Sequence, residues 1–324
     1  MTKIVDLDKT RKLLLGSKTH RGLIPVSVTY VVLISLGFVY IMPLLTTIIY
    51  SIMTTSDMVD PMVVWVPTQI YFGHLRTAWQ VMAFTEGLYT SLVMTAGPAL
   101  VQTISTALAG YAFARYEFPL KRLWLAMLII IYIIPTQVLI VPRFLLFMNY
   151  GLLDIPPWPT YLPAMFGQGI RSSIFILIFY QFFHSYPKSL DEAAEIDGCG
   201  RFKLFRLIAI PMVKPAIVIS FLFSLVWYWN ETTMFTALYA RLREISLFGV
   251  SVDRIYTLPL RIIRFQARYE HMQREAGILG QHHTILDSVT LSGMLLAILP
   301  LLIIYLILQR HFVESVERSG ITGE

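Results

Sequence analysis

The 324-residue chain has one cysteine and little charge. A lone thiol, Cys199, cannot close an intramolecular disulfide, and it excludes metal sites built from cysteine pairs. Asp, Glu, Lys and Arg make up 14% of the residues, where soluble domains average about 25%. That is too few to cover a water-facing surface. No G-x-x-x-x-G-K-[ST] loop occurs to cradle a nucleotide phosphate, so the chain is not expected to hydrolyse ATP itself. Neither a nucleophile elbow nor an H-E-x-x-H metal motif is present. The formal charge of +6 is spread along the chain rather than gathered on a soluble module, which argues against nucleic acid as a partner.

What the chain does have is apolar length. Hydrophobic residues make up 56%, and mean hydropathy is +0.64. A bilayer core takes about 20 apolar residues per helix. Six stretches qualify: 28–53, 88–114, 123–148, 161–183, 211–238 and 289–309. They predict an all-α polytopic membrane protein with six transmembrane helices. Prolines at 43, 98, 135 and 300 fall inside these spans, where neighbouring helices can satisfy the backbone groups they free. The basic segment before residue 28 resembles the start of a signal peptide. The apolar run after it is too long for one and is followed by no A-x-A site, so it reads as a retained first span.

Six spans put both termini on one side. Lys and Arg concentrate in the N-terminal segment, at Arg115, Lys121 and Arg122, between Lys188 and Lys214, and at Arg310 and Arg318. The positive-inside rule places all of these in the cytoplasm. The chain then divides into a cytoplasmic segment 1–27, a transmembrane domain 28–314 and a cytoplasmic tail 315–324. An insert at about 240–288 lies outside and is charged enough to form a small external subdomain. Trp65, Trp79 and Trp158 read as interfacial belt residues. Thr106, Gly110 and Ala114, four apart, make a small-residue face for close helix packing. Arg143 and Arg171 lie near span ends, where snorkelling or pairing is the simpler reading. Asn230 and Glu231, polar groups in or beside a span, are candidates for a pathway or gate. The pair His282-His283 offers too few ligands for a metal, and none is expected.

The loop 186–215, YPKSLDEAAEIDGCGRFKLFRLIAIPMVKP, is the most informative stretch. Ser189 with Glu192 forms a capping-box pattern, which starts a helix there. Asp197-Gly198 stops it. A second short helix then spaces Phe202, Phe205 and Ile208 three apart, and Pro211 opens the next span. Apolar side chains projected from a cytoplasmic loop mark a partner site.

Glu192, Ala193, Ala194, Asp197 and Gly198, followed by Phe202, Ile210, Pro211 and Pro215, resemble the EAA loop of binding-protein-dependent ABC importer permeases. ALAGYAFARYEF at 107–118, Trp229-Asn230 and the closing QRHFVESVERSGITG resemble the carbohydrate-type, maltose-permease-like branch. Departures are Thr90 where that branch has Asn, Ser315 where it has Gly, and the long insert. The resemblance implies a non-catalytic permease subunit of a type I ABC importer, in the cell membrane of a prokaryote. It would be paired with a second, different permease chain and with two ATPase subunits that bind ATP and Mg. An extracellular binding protein would deliver a carbohydrate, and no cofactor sits on this chain. Coupling to the ATPase falls to Glu192, Ala193, Ala194, Asp197, Gly198, Phe202, Phe205 and Ile208. The competing readings are an ATP-independent secondary transporter or channel, which calls for inverted repeats or an ionisable pair at mid-span, and a membrane enzyme, which calls for His, Asp or Glu clustered at one depth.

Overall fold

The computed structural model describes residues 22–277 and 283–320. The basic segment up to residue 21, His282 and the last four residues lie outside the described residues. The described residues fall into two compact units, one drawn from 22–75 with 283–295, the other from 76–277 with 296–320.

In the first unit, α1 (Leu23–Ile52) is a 30-residue helix. Val31, Ile34 and Val39 are all more than half exposed, as a lipid-facing helix requires. After it, Thr54 caps the short helix Thr55–Val59 by accepting from the Asp57 amide. The buried Asp57 carboxylate takes Thr68 Oγ1 at 2.6 Å and Thr68 N at 3.0 Å, which closes the following loop.

The second unit is built around α2 (Phe84–Arg115), 32 residues long. A five-residue π turn at Leu92–Ala96 precedes Pro98 and takes up the register change that the missing proline N–H imposes. The helix is inside out by the standard of a soluble protein. Thr95, Gln102, Thr103 and Thr106 are buried, while Leu100, Ile104 and Leu108 are 46–56% exposed. Lipid reverses the usual sorting, because leucine meets equally apolar surroundings on either side while polar groups need a partner inside the protein; Thr95, Thr103 and Thr106 each donate to a carbonyl of their own helix one turn back.

Next come α3 (Lys121–Ile133) and α4 (Thr136–Asn149), bent by 97° where Pro135 interrupts them. Ile134, the residue before the proline, is extended. A short helix, Trp158–Met165, leads to α5 (Ser172–Ser185). α5 lies closest to α2, because a Cβ on Gly110 would stand 2.4 Å from Phe179 Cβ and 2.9 Å from the Tyr180 nitrogen. The expected small-residue face is this contact. Beyond α5 lie α6 (Ser189–Ile196), α7 (Arg201–Met212) and α8 (Lys214–Asn230), with 79° between the last two. The insert holds a two-stranded antiparallel hairpin, β1 (Ile245–Leu247) with β2 (Val250–Val252), then α9 (Leu258–Ile263) and α10 (Phe265–Glu275). Phe248 and Gly249, both at positive φ, make its tight turn. The last helix, α11, runs His283–Gly320.

The described residues are thus all-α but for one hairpin, and polytopic. Among them three helices are long and apolar enough to cross a bilayer alone, and the two bent pairs raise that to five. The expected fourth span is split, since α5 has 14 residues. Two local expectations change as well. Ser189 is the first residue of α6, not its cap; Lys188 holds the cap position and no side chain caps the helix. Pro211 lies within α7, and α8 opens instead at Lys214-Pro215, after the break at Val213.

Candidate functional site

The loop between α5 and α8 folds as a hook. Gly198, at φ +77° with open space around it, makes the turn between α6 and α7, in the left-handed conformation that glycine adopts without cost. The hook is tethered to the end of α2. Arg115 Nε stands 3.3 Å from Asp191 Oδ2, with side chains only 5% and 16% exposed. Tyr186 Oη donates to the same carboxylate at 2.9 Å. Arg115 Nη2 donates to the Tyr186 carbonyl at 2.8 Å, and its guanidinium lies 3.5 Å above the Tyr186 ring. Burial first, and then the hydrogen bond to Asp191, push the Tyr186 phenol above its ordinary value.

The hook's apolar residues divide between two faces. Phe205 packs on Tyr111, with ring centroids 4.9 Å apart, and on Phe183. Ile208 joins the same cluster, and Ala194 and Leu204 are buried in it. Ile196 and Phe202, by contrast, are 87% and 74% exposed. Glu192, Ala193 and Asp197 are also exposed. The inner face therefore seats the hook on the bundle, and the outer face presents two large apolar side chains beside carboxylates.

A cavity of about 470 Å³ opens within the same unit, between the arms of the α3–α4 bend. It is lined by Tyr132, Arg143, Gln168, Arg171 and Glu231. The turn before α5 forms one wall and is fixed by a buried triad: Tyr228 Oη donates to Gln102 Oε1 at 2.9 Å, Gln102 Nε2 donates to the Ile170 carbonyl at 2.9 Å, and the Ile170 amide donates to Tyr228 Oη at 3.3 Å. Gly169 fits here only because it lacks a side chain, since a Cβ would stand 2.0 Å from Gln102 Oε1. Glu231 reaches the cavity, and its Oε1 accepts from the Met234 amide at 2.8 Å. Asn230 does not line it; its amide donates to the Val226 carbonyl one turn back.

In the sequence Arg115 reads only as a topology charge, and Asp191, Gln102 and Tyr228 are not singled out. The available signal was a glutamine in the middle of an apolar span, where a polar side chain faces the bundle. No cluster of potential metal ligands occurs among the described residues.

Residues 106–318 match the family of binding-protein-dependent transport system inner membrane components. The chain is 27% identical over 302 residues to the maltodextrin transport system permease of Streptococcus pneumoniae, covering 92% of this chain and 95% of that one. It is 26% identical over 262 residues to the melibiose/raffinose/stachyose import permease of Bacillus subtilis, covering 80% and 84%. It is 25% identical over 271 residues to the diacetylchitobiose uptake permease of Streptomyces coelicolor, covering 83% and 87%. The fold is similar to that in the crystal structure of a bacterial ABC transporter involved in the import of the acidic polysaccharide alginate, with a TM-score of 0.57 at 18% identity over 89% of this chain and 96% of that one.

Proposed function

The chain belongs to the family of binding-protein-dependent transport system inner membrane components, and on that premise we propose that it carries an oligosaccharide and is driven through the hook formed by α6 and α7. The permease role follows from the family. The solute class is supported by relatives whose names specify maltodextrin, raffinose and diacetylchitobiose. Coupling rests on the exposure of Ile196 and Phe202 on a hook whose other face is locked to α2.

Large apolar side chains held in water on a rigid support gain from entering a partner's cleft, about 1.5–3 kcal/mol for each one fully buried. The partner is an ATPase subunit that holds ATP and Mg. Its closure pushes the hook, and the tether passes that motion to α2 as a rigid-body displacement. Glu192 and Asp197 would contact the rim of the cleft, while Phe205 and Ile208 hold the hook to the bundle rather than entering the ATPase. Both termini and the hook lie in the cytoplasm, and the β1–β2 hairpin lies outside, where a solute-binding protein docks. A second permease chain completes the pathway.

The test uses the natural economy of cysteines. With Cys199 replaced by Ser, Ile196→Cys and Phe202→Cys should cross-link to the ATPase subunit in native membranes, and a membrane-impermeant thiol reagent should reach them only from the inner side. Labelling of both positions from outside intact cells, with no cross-link formed, would end this reading.

A further inference from the structure

Two arginines and one carboxylate line the α3–α4 cavity, and the carboxylate is already engaged. Arg143 Nη2 donates to the Gln168 carbonyl at 3.2 Å, and its Nη1 meets the Met234 sulfur at 3.8 Å. Arg171 lies 4.9 Å from the Trp227 ring and makes no ion pair among the described residues. Neither guanidinium pairs with a carboxylate among the described residues, although both line the cavity. A guanidinium fork left without such a partner matches a carboxylate in bidentate geometry.

The surroundings suit a sugar as well as a charge. Tyr132 offers an aromatic face, and Gln168 with the polypeptide of the 167–173 turn offers polar groups. A volume of about 470 Å³ lies in the range that encloses a small organic ligand, roughly 300–1,000 Å³.

We propose that this cavity is a solute subsite selective for saccharides that bear a carboxylate, with Arg143 as the residue that engages the carboxylate and Arg171 beside it raising the local positive potential. The inference deepens the permease reading and rests on it. Glu231 limits the selectivity to acids of low charge, because it offsets part of the field of the arginines.

The shared chemistry is an anion in reach of two guanidiniums, and a lipid phosphate could supply it as well as a sugar acid. The experiment separates the two sources. The intact transporter complex is placed in nanodiscs of phosphatidylcholine alone, or of phosphatidylcholine with phosphatidylglycerol. Digalacturonate and a matched neutral disaccharide are titrated against its tryptophan fluorescence, to which Trp227 contributes beneath Arg171. Digalacturonate should bind about tenfold tighter than the neutral sugar, in both lipid compositions. Arg143→Gln should reduce that ratio to about one, and Arg143→Lys, which keeps the charge and the fold, should retain part of it.

Equal affinity for the two sugars would overturn the acid selectivity and leave the permease reading intact. A preference that survives Arg143→Gln would also overturn it, as would one that disappears when phosphatidylglycerol is added, which would assign the arginines to lipid. Failure of both sugars to bind or to stimulate ATP hydrolysis would instead count against the carbohydrate reading itself.

Discussion

Arg115 occupies an unusual position for a charge in a chain so poor in charge. It meets a carboxylate, a carbonyl and an aromatic face at once. Removing one partner of a nearly buried pair leaves the other uncompensated, at about 3 kcal/mol. Arg115→Ala is therefore expected to lower uptake by more than about tenfold, while the protein still inserts and the ATPase still binds. The measurement that separates coupling from simple damage is ATP hydrolysis, which should persist at its basal rate and no longer respond to solute. Restored stimulation in Arg115→Lys would indicate that charge alone suffices.

Tyr186 adds a pH prediction. Its phenol is raised above the ordinary value by burial, so the folded hook binds a proton that the unfolded chain gives up at about pH 10. Its contribution is complete below that pH and is lost as pH rises through the unfolded and then the folded value. Coupling efficiency, measured as solute moved per ATP, should hold constant from pH 7 to 9. A decline in Tyr186→Phe-insensitive fashion over that range would point to a different group.

At the level of elements, two glycines act for different reasons, and their substitutions should fail differently. Gly110 lies against the α5 backbone. Gly110→Val forces α2 and α5 apart and is expected to cost several kcal/mol by overpacking, with a lower melting temperature in detergent. Gly198 has open space and a positive φ, so Gly198→Val meets no clash but strains the turn by about 1–2 kcal/mol. The variant should insert and remain stable, yet lose uptake. Gly198→Asn should retain most of it, because asparagine tolerates the left-handed conformation.

The hook was legible in the sequence because its signals are local: a helix start, an Asp-Gly stop and apolar residues three apart. Which of those apolar residues point outward was not. Phe205 and Ile208 turn inward because Tyr111 and Phe183, 94 and 22 residues from Phe205, come to meet them. The break at Pro135 was visible as a proline, but its 97° angle depends on how α3 and α4 pack. Hydropathy sums over a window and cannot register a corner, which is why six apolar stretches became three long helices, two bent pairs and the 14-residue α5.

Across the whole molecule, lipid replaces water as the solvent that sorts the side chains. The buried face of α2 sets threonine and glutamine among small residues such as Ala99, Ala107 and Gly110, and its exposed face carries leucine and isoleucine. Substituting the exposed face should then be tolerated if hydropathy is kept: Ile104→Leu is expected to leave thermal stability in lipid unchanged, whereas Gln102→Leu should lower it by releasing the Tyr228 hydroxyl and the turn at Ile170. Thermal unfolding in nanodiscs measures both.

The two ends of α2 carry the two fastenings of the unit. One end holds Arg115 and the hook. Near the other, Glu86 pairs with Arg261 at 2.9 Å, Tyr89 Oη donates to the Leu247 carbonyl at 2.7 Å and Ser91 Oγ accepts from the Leu258 amide at 2.7 Å, so the hairpin and α9 are riveted to the same rod. At 32 residues that rod is roughly 48 Å long, with its register shifted once at the π turn. If the hook and the hairpin each seat the partner proposed for it, thermodynamic reciprocity makes the traffic two-way: a visitor perched on the hairpin would change the grip at the far tip by the same factor as the occupant of that tip changes how firmly the visitor is held.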